Sequence, residues 1–351
     1  MGKIVVTAVG DLMLGDGPLN PGFGVASYIR NVGGDSLFKV VKPILERGDI
    51  VFGNLEAVLA CGVIGKTASN HRQLIGSPSS VSSLKQAGFN VLSIANNHAL
   101  EHGNTAMLDT IEHLKKEHIR TIGQNLEIIE IKGTKVALLA YCLIEDSTAY
   151  TSTVNPDQIC SQIKKAKSET SLVIVSMHWG DEFIHRPSLR QIELAHKMID
   201  SGASLIIGHH PHVVQGIEMY NNGLIAYSLG NFVFDMGYIP ETRNSFILEC
   251  SLTYNGKMDD YNLFPIYIND AFQPVPLSGV EREQALGEIE RLSRYTSERE
   301  ENYSESYEVE LLSRRKRARN KMKLQFIKNI YRYPFGFTVK VMADYARKIV
   351  K

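Results

Sequence analysis

The stretch Lys3–Gly15, KIVVTAVGDLMLG, decides the fold. Lys3–Val9 is a short apolar run rich in β-branched residues and reads as a buried strand. Gly10-Asp11 ends it with a turn residue and a carboxylate. The same order, apolar strand and then polar donor, returns along the chain. Asp49–Gly53 runs into Asn54-Leu55-Glu56, and Asn90–Ala95 into Asn96-Asn97-His98. Leu172–Met177 runs into His178, and Ser204–Ile207 into Gly208-His209-His210-Pro211-His212. Lys135–Tyr141 reads as a further strand. Helical spacing predicts helices over Ser36–Arg47, Ser79–Ala87, Thr105–Glu117, Asn155–Lys167 and Ser188–Asp200. Asn155 supplies a cap and Pro156 a first-turn residue. Strands alternating with helices predict an α/β layered fold.

Beyond Val213 the pattern changes to strand–turn–strand. Asn221-Asn222-Gly223 is a hairpin turn between Val214–Tyr220 and Leu224–Ser228. A second hairpin pairs Ser245–Tyr254 with Met258–Tyr267 across Asn255-Gly256, so antiparallel strands join the sheet. From Glu281 the chain is charged and helical, through Glu281–Glu301 and a basic helix over Glu308–Ile330. A Pro-Gly break within Tyr331–Phe337 precedes a final short helix, Thr338–Val350. The chain therefore divides into a domain over residues 1–275 and a basic helical extension over residues 276–351.

The 351 residues, 44% of them hydrophobic, suffice for one large core with a smaller appendage. The net charge of zero hides an asymmetry. Leu311–Lys351 holds 13 Lys and Arg against one acidic residue, Asp344, leaving 25 basic and 37 acidic residues in the body. Cys61, Cys142, Cys160 and Cys250 form no C-x-x-C pair, which excludes a zinc ribbon and points to buried free thiols in a reducing compartment. The start of the chain lacks signal-peptide patterning, and no segment reaches the roughly 18 apolar residues of a membrane span. The expectation is a soluble, cytoplasmic protein.

The carboxyl ends of strands in open α/β sheets form the crevice where ligands bind. Asp11, Asn54 with Glu56, Asn97 with His98, His178, and His210 with His212 all stand at such ends. A strand-end Asp or Asn can simply cap the next helix, but the recurrence of donors favours ligation. Oxygen and imidazole donors suit zinc, manganese or iron. Two such metals about 3.5–4 Å apart can polarise a phosphoryl oxygen, activate water and clamp an in-line displacement.

Gly10–Met13, Gly53–Glu56, Asn96–Ala99, His178–Gly180 and Gly208–His212 resemble, in order, the motifs of the calcineurin-like metallophosphoesterases. Gly10–Gly15, Asn54–Glu56, Ser93–His98, His178–Glu182, Gly208–His212 and Tyr227–Phe232 resemble more closely the CapA-type branch, linked to capsule and poly-gamma-glutamate synthesis. The resemblance covers about residues 3–270. It implies a layered sandwich of mixed sheets flanked by helices, and one or two divalent metal ions. Asp11, Asn54, Glu56, Asn97, His178, His210 and His212 would ligate, Asn54 standing where a bridging carboxylate is expected. His98 would act as general acid, and Glu182 and Asn231 would orient substrate or the ligands. Three positions depart from the superfamily pattern. Met13 replaces a histidine, Asn54 an aspartate and Ala99 an acid, and the first two departures lower metal affinity or remove one site. The CapA-type branch shows the same departures.

The resemblance implies a hydrolase or transferase acting on a phosphoester or an amide-linked polymer, the substrate being an anionic polymer or a small phosphorylated molecule. The alternative is a non-catalytic accessory component of capsule-synthesis or export machinery. His185 and Arg186 follow His-Trp-Gly and are candidates for binding an anionic substrate. Alternation along an extended segment points His210 and His212 together and His209 away. His71, His113, His118 and His196 read as surface or helix residues, His102 could line the site, and Trp179 reads as a packing residue. Three readings of the basic run Arg314–Lys323 stand side by side. It docks on the acidic body, or it meets a membrane surface together with Phe326, Ile327, Ile330, Tyr331, Phe335 and Phe337, or it binds nucleic acid, for which no recognised fold speaks. Relatives in this branch are often membrane-anchored outside the cell. This chain begins on its first strand, and the expected location is the cytoplasm, with the tail at the inner membrane face.

Overall fold

Period-two alternation along the strands sets the layering. In the strand Thr134–Cys142, Val136, Leu138 and Ala140 enter one apolar cluster while Ala137, Leu139 and Tyr141 enter another. In Leu172–His178, Leu172 and Ile174 face the first cluster and Val173, Val175 and Met177 the second. Lys3–Leu12 sends Ile4, Val6 and Ala8 into the same first cluster and Val9 to its far side. That shared cluster lies between two sheets. The computed structural model describes residues 2–61, 74–123, 125–145, 155–297, 301–333 and 335–339.

Among these residues the first sheet runs Pro274–Pro276, Met258–Ile268, Asn244–Thr253, Lys3–Leu12, Ile50–Leu55, Val91–Ser93 and Arg120–Ile122, with Asn231–Val233 alongside the end of Lys3–Leu12. The second runs Ile217–Tyr220, Gly223–Ala226, Leu205–His209, Leu172–His178, Thr134–Cys142 and Glu127–Ile131. The short helices Val25–Val32 and Ser80–Gln86 cover the outer face of the first sheet, burying Val25, Val81 and Leu84. Pro156–Glu169 and Leu189–Asp200 cover the second, burying Ile159, Ile163, Ile192 and Met198. Both of the latter begin in capping boxes, Asn155 with Gln158 and Ser188 with Gln191. The layered α/β sandwich expected from the sequence is the fold.

Some expectations need correction. The two hairpins do not join one sheet. Ile217–Ala226 extends the second sheet, whereas Asn244–Ile268 extends the first. The helix expected over Ser36–Arg47 is two single turns, Asp35–Phe38 and Lys42–Leu45. Pro43 lacks the N–H an unbroken helix would use and its ring crowds the preceding turn, so the helix restarts with Pro43 in its first turn. Cys61 is exposed and Cys160 half-buried; only Cys142 and Cys250 are buried thiols. His71 and the end of the expected final helix, 340–351, lie outside the described residues.

The extension begins with Gly279–Ser293, which packs Ile289 and Leu292 on the inter-sheet core. Tyr303–Lys328 follows and docks through Tyr303, Tyr307 and Leu311 on Ile184, and through Ala318 on Phe183 and Ile239.

Two glycines let neighbouring segments of one sheet pass close together, Gly10 beside Gly230 in the first sheet and Gly208 beside Tyr227 in the second. A Cβ on Gly10 would lie 1.9 Å from Gly230 O, and one on Gly208 1.9 Å from Tyr227 O. Backbone stands where a side chain would go. Gly208→Ala is expected to destabilise the fold by about 1–3 kcal/mol or more, because neither strand can retreat from a packed core. Urea denaturation measures it, and a midpoint equal to the parent's would contradict the close approach.

Candidate metal centre

Asp11 ends its strand fully buried, with Asn54 and Asn231 as in-register neighbours on either side. Asn54 Nδ2 donates to its Oδ1 at 2.9 Å, and His209 Nδ1 lies 3.1 Å from the same oxygen. His212 Nδ1 lies 3.3 Å from Oδ2, and the His210 backbone N–H donates to Oδ2 at 3.4 Å. Burial pushes the Asp11 carboxyl up, but the hydrogen bonds and charges of His209 and His212 outweigh it and hold the group well below its ordinary range. The first sheet supplies the carboxylate and the second the imidazoles, so the site spans the seam between them.

Glu56 and His178 complete the centre. Ligand atoms of Asp11, Glu56 and His178 all lie within 4.8 Å of one another. The Asn54 amide nitrogen also faces Glu56 Oε1 at 3.2 Å and His178 Nδ1 at 3.3 Å. Two carboxylate oxygens and an imidazole nitrogen thus converge on one neutral amide nitrogen, an arrangement a cation also satisfies. Glu56 Oε2, His209 Nε2 and His210 Nδ1 are buried and have no hydrogen-bond partner among the described residues. Each such orphan costs about 1–3 kcal/mol unless something meets it. Burial and the Asp11 charge push Glu56 up to about 8. Burial and the neighbouring His212 push His210 down to about 3, while burial and His210 hold His178 well below the ordinary range. Neutral imidazole is the form that binds metal. The residues present therefore fit a divalent cation.

Loop geometry places the remaining donors. His210 and His212 adopt left-handed backbone, with φ of 96° and 58°. The segment is therefore not extended, and the alternation expected to turn His209 away does not apply. His209 instead contacts Asp11, and the His210 ring lies 4.8 Å from that of His178. Burial opposes the charge on His212, but Glu56 and Asp11 raise it to about 10. Asn231 Oδ1 lies 2.9 Å from His212 Nδ1 and its Nδ2 donates to Thr242 O at 3.3 Å, so Asn231 braces the ring. Asn97 Oδ1 lies 2.8 Å from His178 Nε2 and fixes that ring in the same way.

His98 sits at the rim with its side chain 26% exposed. Its Nδ1 lies 2.9 Å from Glu101 Oε2. Burial pushes His98 down, but Glu101 and Glu56 outweigh it and the net shift is upward. Glu101 escaped the sequence reading, although His98-Ala99-Leu100-Glu101 shows a carboxylate three residues on. Asn96 escaped it too. Its Nδ2 donates to Leu55 O at 2.8 Å and its Oδ1 accepts from the His98 N–H at 3.1 Å, tying the loop to the neighbouring strand. Glu182 is half-buried and adds negative charge near Glu56 and His212. Trp179 is buried, donates Nε1 to Tyr227 O at 3.0 Å and stacks on Tyr227.

Arg186 and His185 stand apart. Arg186 is buried, pairs with Glu310 at 3.0 Å and lies over the Tyr295, Tyr303 and Tyr307 rings. Its guanidinium holds the extension rather than facing the donor cluster. His185 bonds Val214 O at 3.1 Å and lines a cavity of about 1100 Å³ with Glu281 and Tyr267. That cavity is large but contains none of the clustered donors. His102 precedes the helix Gly103–Lys116, His113 meets Asp109 within it, and His196 stacks on Tyr220.

A two-sheet sandwich with helices outside, and a buried carboxylate–imidazole cluster at the shared carboxyl ends of its strands, has the calcineurin-like metallophosphoesterase fold. A solved Staphylococcus aureus protein, proposed to be a 5′-nucleotidase and bound to alpha-ketoglutarate, superposes with a TM-score of 0.50 at 13% identity, over 83% of this chain and 58% of its own. The chain belongs to the family described as bacterial capsule synthesis protein PGA_cap, whose model matches residues 5–236. It is similar to the capsule biosynthesis protein CapA of Bacillus anthracis, at 34% identity over 72% of this chain and 65% of that one. It is also similar to the PGA biosynthesis protein CapA of Bacillus subtilis, at 32% identity over 82% of this chain and 78% of that one. The matched region thus spans 65% of the length of the first relative.

Purified protein is expected to bind Mn²⁺ or Zn²⁺ stoichiometrically, and Asp11→Ala to lose that binding. Asn231→Ala should weaken it about 10–100-fold through His212. Calorimetric titration reads both, and undiminished binding by Asp11→Ala would place the metal elsewhere.

Proposed function

We propose that this capsule-synthesis family member is a metal-dependent hydrolase or transferase acting on a phosphoester or amide link of an anionic polymer or its phosphorylated precursor. The observation that carries the reading is the pairing of a closed donor cluster with a rim-exposed acid. Asp11, Glu56 and His178 converge within 4.8 Å, and His98 stands beside them, braced by Glu101 at 2.9 Å.

Asp11, Glu56, His178, His210 and His212 would hold the cation, with Asn54 and Asn97 adjoining. When bound, the cation supplies Lewis acidity to a phosphoryl or carbonyl oxygen and neutralises the two buried carboxyls. The protein's own groups do the rest. Glu101 lies against His98 Nδ1 and favours the charged ring, the form that would give a proton from Nε2, where the Asn97 amide nitrogen lies 3.4 Å away, to a departing oxygen or nitrogen. Asn96 fixes the His98 backbone, which limits how far the ring can drift from the cluster. Glu182 adds negative charge near Glu56 and His212.

A second reading has its own support. Asn54 stands where the superfamily pattern has a carboxylate, and it meets Asp11 and Glu56 through its amide nitrogen. The centre thereby has one fewer negative charge, as an accessory protein with a relic site would. Metal analysis together with turnover separates the two.

On p-nitrophenyl phosphoesters, Asp11→Ala, His178→Ala and His210→Ala are expected to abolish metal-dependent hydrolysis. His98→Gln should lower kcat by about 100-fold or more while the protein still binds metal. Full activity in all three ligand variants would end the catalytic reading, and a metal-free, well-folded parent would favour the accessory one.

A further inference from the structure

The helix Tyr303–Lys328 has two faces with different chemistry. Its inner face is committed to the body. Tyr307 donates its hydroxyl to Asp181 at 2.9 Å, Arg315 pairs with Asp181 at 2.8 Å, and Lys321 pairs with Glu241 at 2.8 Å. These contacts use Arg315 and Lys321 of the cationic residues that follow Leu311.

The outer face carries Lys316, Arg319, Leu324 and Ile327, at spacings that keep them on one side of a helix. Leu324 is 66% and Ile327 64% exposed, and beyond the helix Tyr331 and Phe335 are 82% and 86% exposed. Lys316 and Arg319 form no ion pair among the described residues. Large aliphatic and aromatic side chains standing bare between cations gain nothing from water. An interface with acyl chains beneath a layer of phosphates satisfies both kinds at once. Ammonium and guanidinium heads reach the phosphates on flexible stems, while Leu, Ile, Tyr and Phe enter the boundary. Among the described residues no helix is long and apolar enough to cross a membrane, and this contact would lie in the surface plane.

We propose that the outward face of Tyr303–Lys328, continued by Tyr331 and Phe335, docks the protein on an anionic lipid bilayer. The donor cluster belongs to the body that this helix grips, so docking would fix the cluster's orientation to the bilayer. The proposal stands independently of catalysis.

Co-sedimentation of the full chain with vesicles tests it. Vesicles of equimolar phosphatidylcholine and phosphatidylglycerol should bind at least about tenfold more tightly than phosphatidylcholine alone, and added salt should weaken the binding. Lys316→Glu with Arg319→Glu should reduce binding about tenfold, and so should Ile327→Asp with Tyr331→Asp. All four residues face solvent, so the melting temperature should stay at the parent value and show that the variants fold. Equal binding to both vesicle types, no binding to either, or parent-like binding by the Ile327/Tyr331 variant would overturn the proposal. Binding to soluble poly-glutamic acid that matches binding to anionic vesicles, and that survives the Ile327/Tyr331 change, would also overturn it, since charge alone would then account for the contact.

Discussion

The seating of one carboxylate depends on two sheets packed face to face, so that the ends of their strands meet. Asp11 has lost all contact with water, a transfer that no isolated ion survives in a protein interior. It is tolerated because Asn54 approaches from its own sheet while His209, His212 and the His210 backbone approach from the other. The electrostatic need is mutual, because Glu56, Asp11 and Glu182 favour the charged form of His212 that burial opposes. Removing the seam would strand acid and base alike. The same seam brings Glu56 and His178 together, so the stability of the interface and the chemistry of the centre rest on one set of contacts.

The departures from the superfamily pattern acquire physical meaning in this setting. Met13 does not leave a gap where a ligand is missing; it is fully buried in the apolar cluster beneath the outer helices. Ala99 packs with Ile94 and Met107, and the carboxylate that meets His98 comes instead from Glu101. Asn54 exchanges a charge for a hydrogen-bond donor that ties Asp11 to Glu56. The centre thus has a cation-binding set on one side and an amide bridge on the other.

The extension is built into the body. Arg186 inserts between Glu310 and three tyrosine rings, a buried cation that is both paired and stacked. The segment it anchors, which includes Asp181 and Glu182, follows directly on His178 and Trp179. A helix that looks in sequence like a solvated basic tail therefore packs against the loop beside the donor cluster.

Much of this was legible in the sequence. Strand runs ending in Asp11, Asn54, His178 and His209 declare an α/β fold and a crevice at the strand ends, because a buried strand must be apolar and a donor can sit only where it stops. The capping residue Asn155 and both hairpin turns were equally local, and local sterics decided them. The division of strands between two sheets was not legible, because an alternating apolar strand looks the same whichever partner it faces. Nor was the contact of His209 with Asp11, since the left-handed backbone at His210 and His212 is imposed by the seam and not by residue type. Arg186 and Glu101 show the two limits: one was drawn out of the site by a helix more than a hundred residues later, the other drawn in by a turn. Sequence alone determined which donors exist and at which strand ends they stand, because apolar periodicity is a local property. Only the tertiary structure decided which of them meet, because a buried charge chooses its partners among residues brought together from distant parts of the chain.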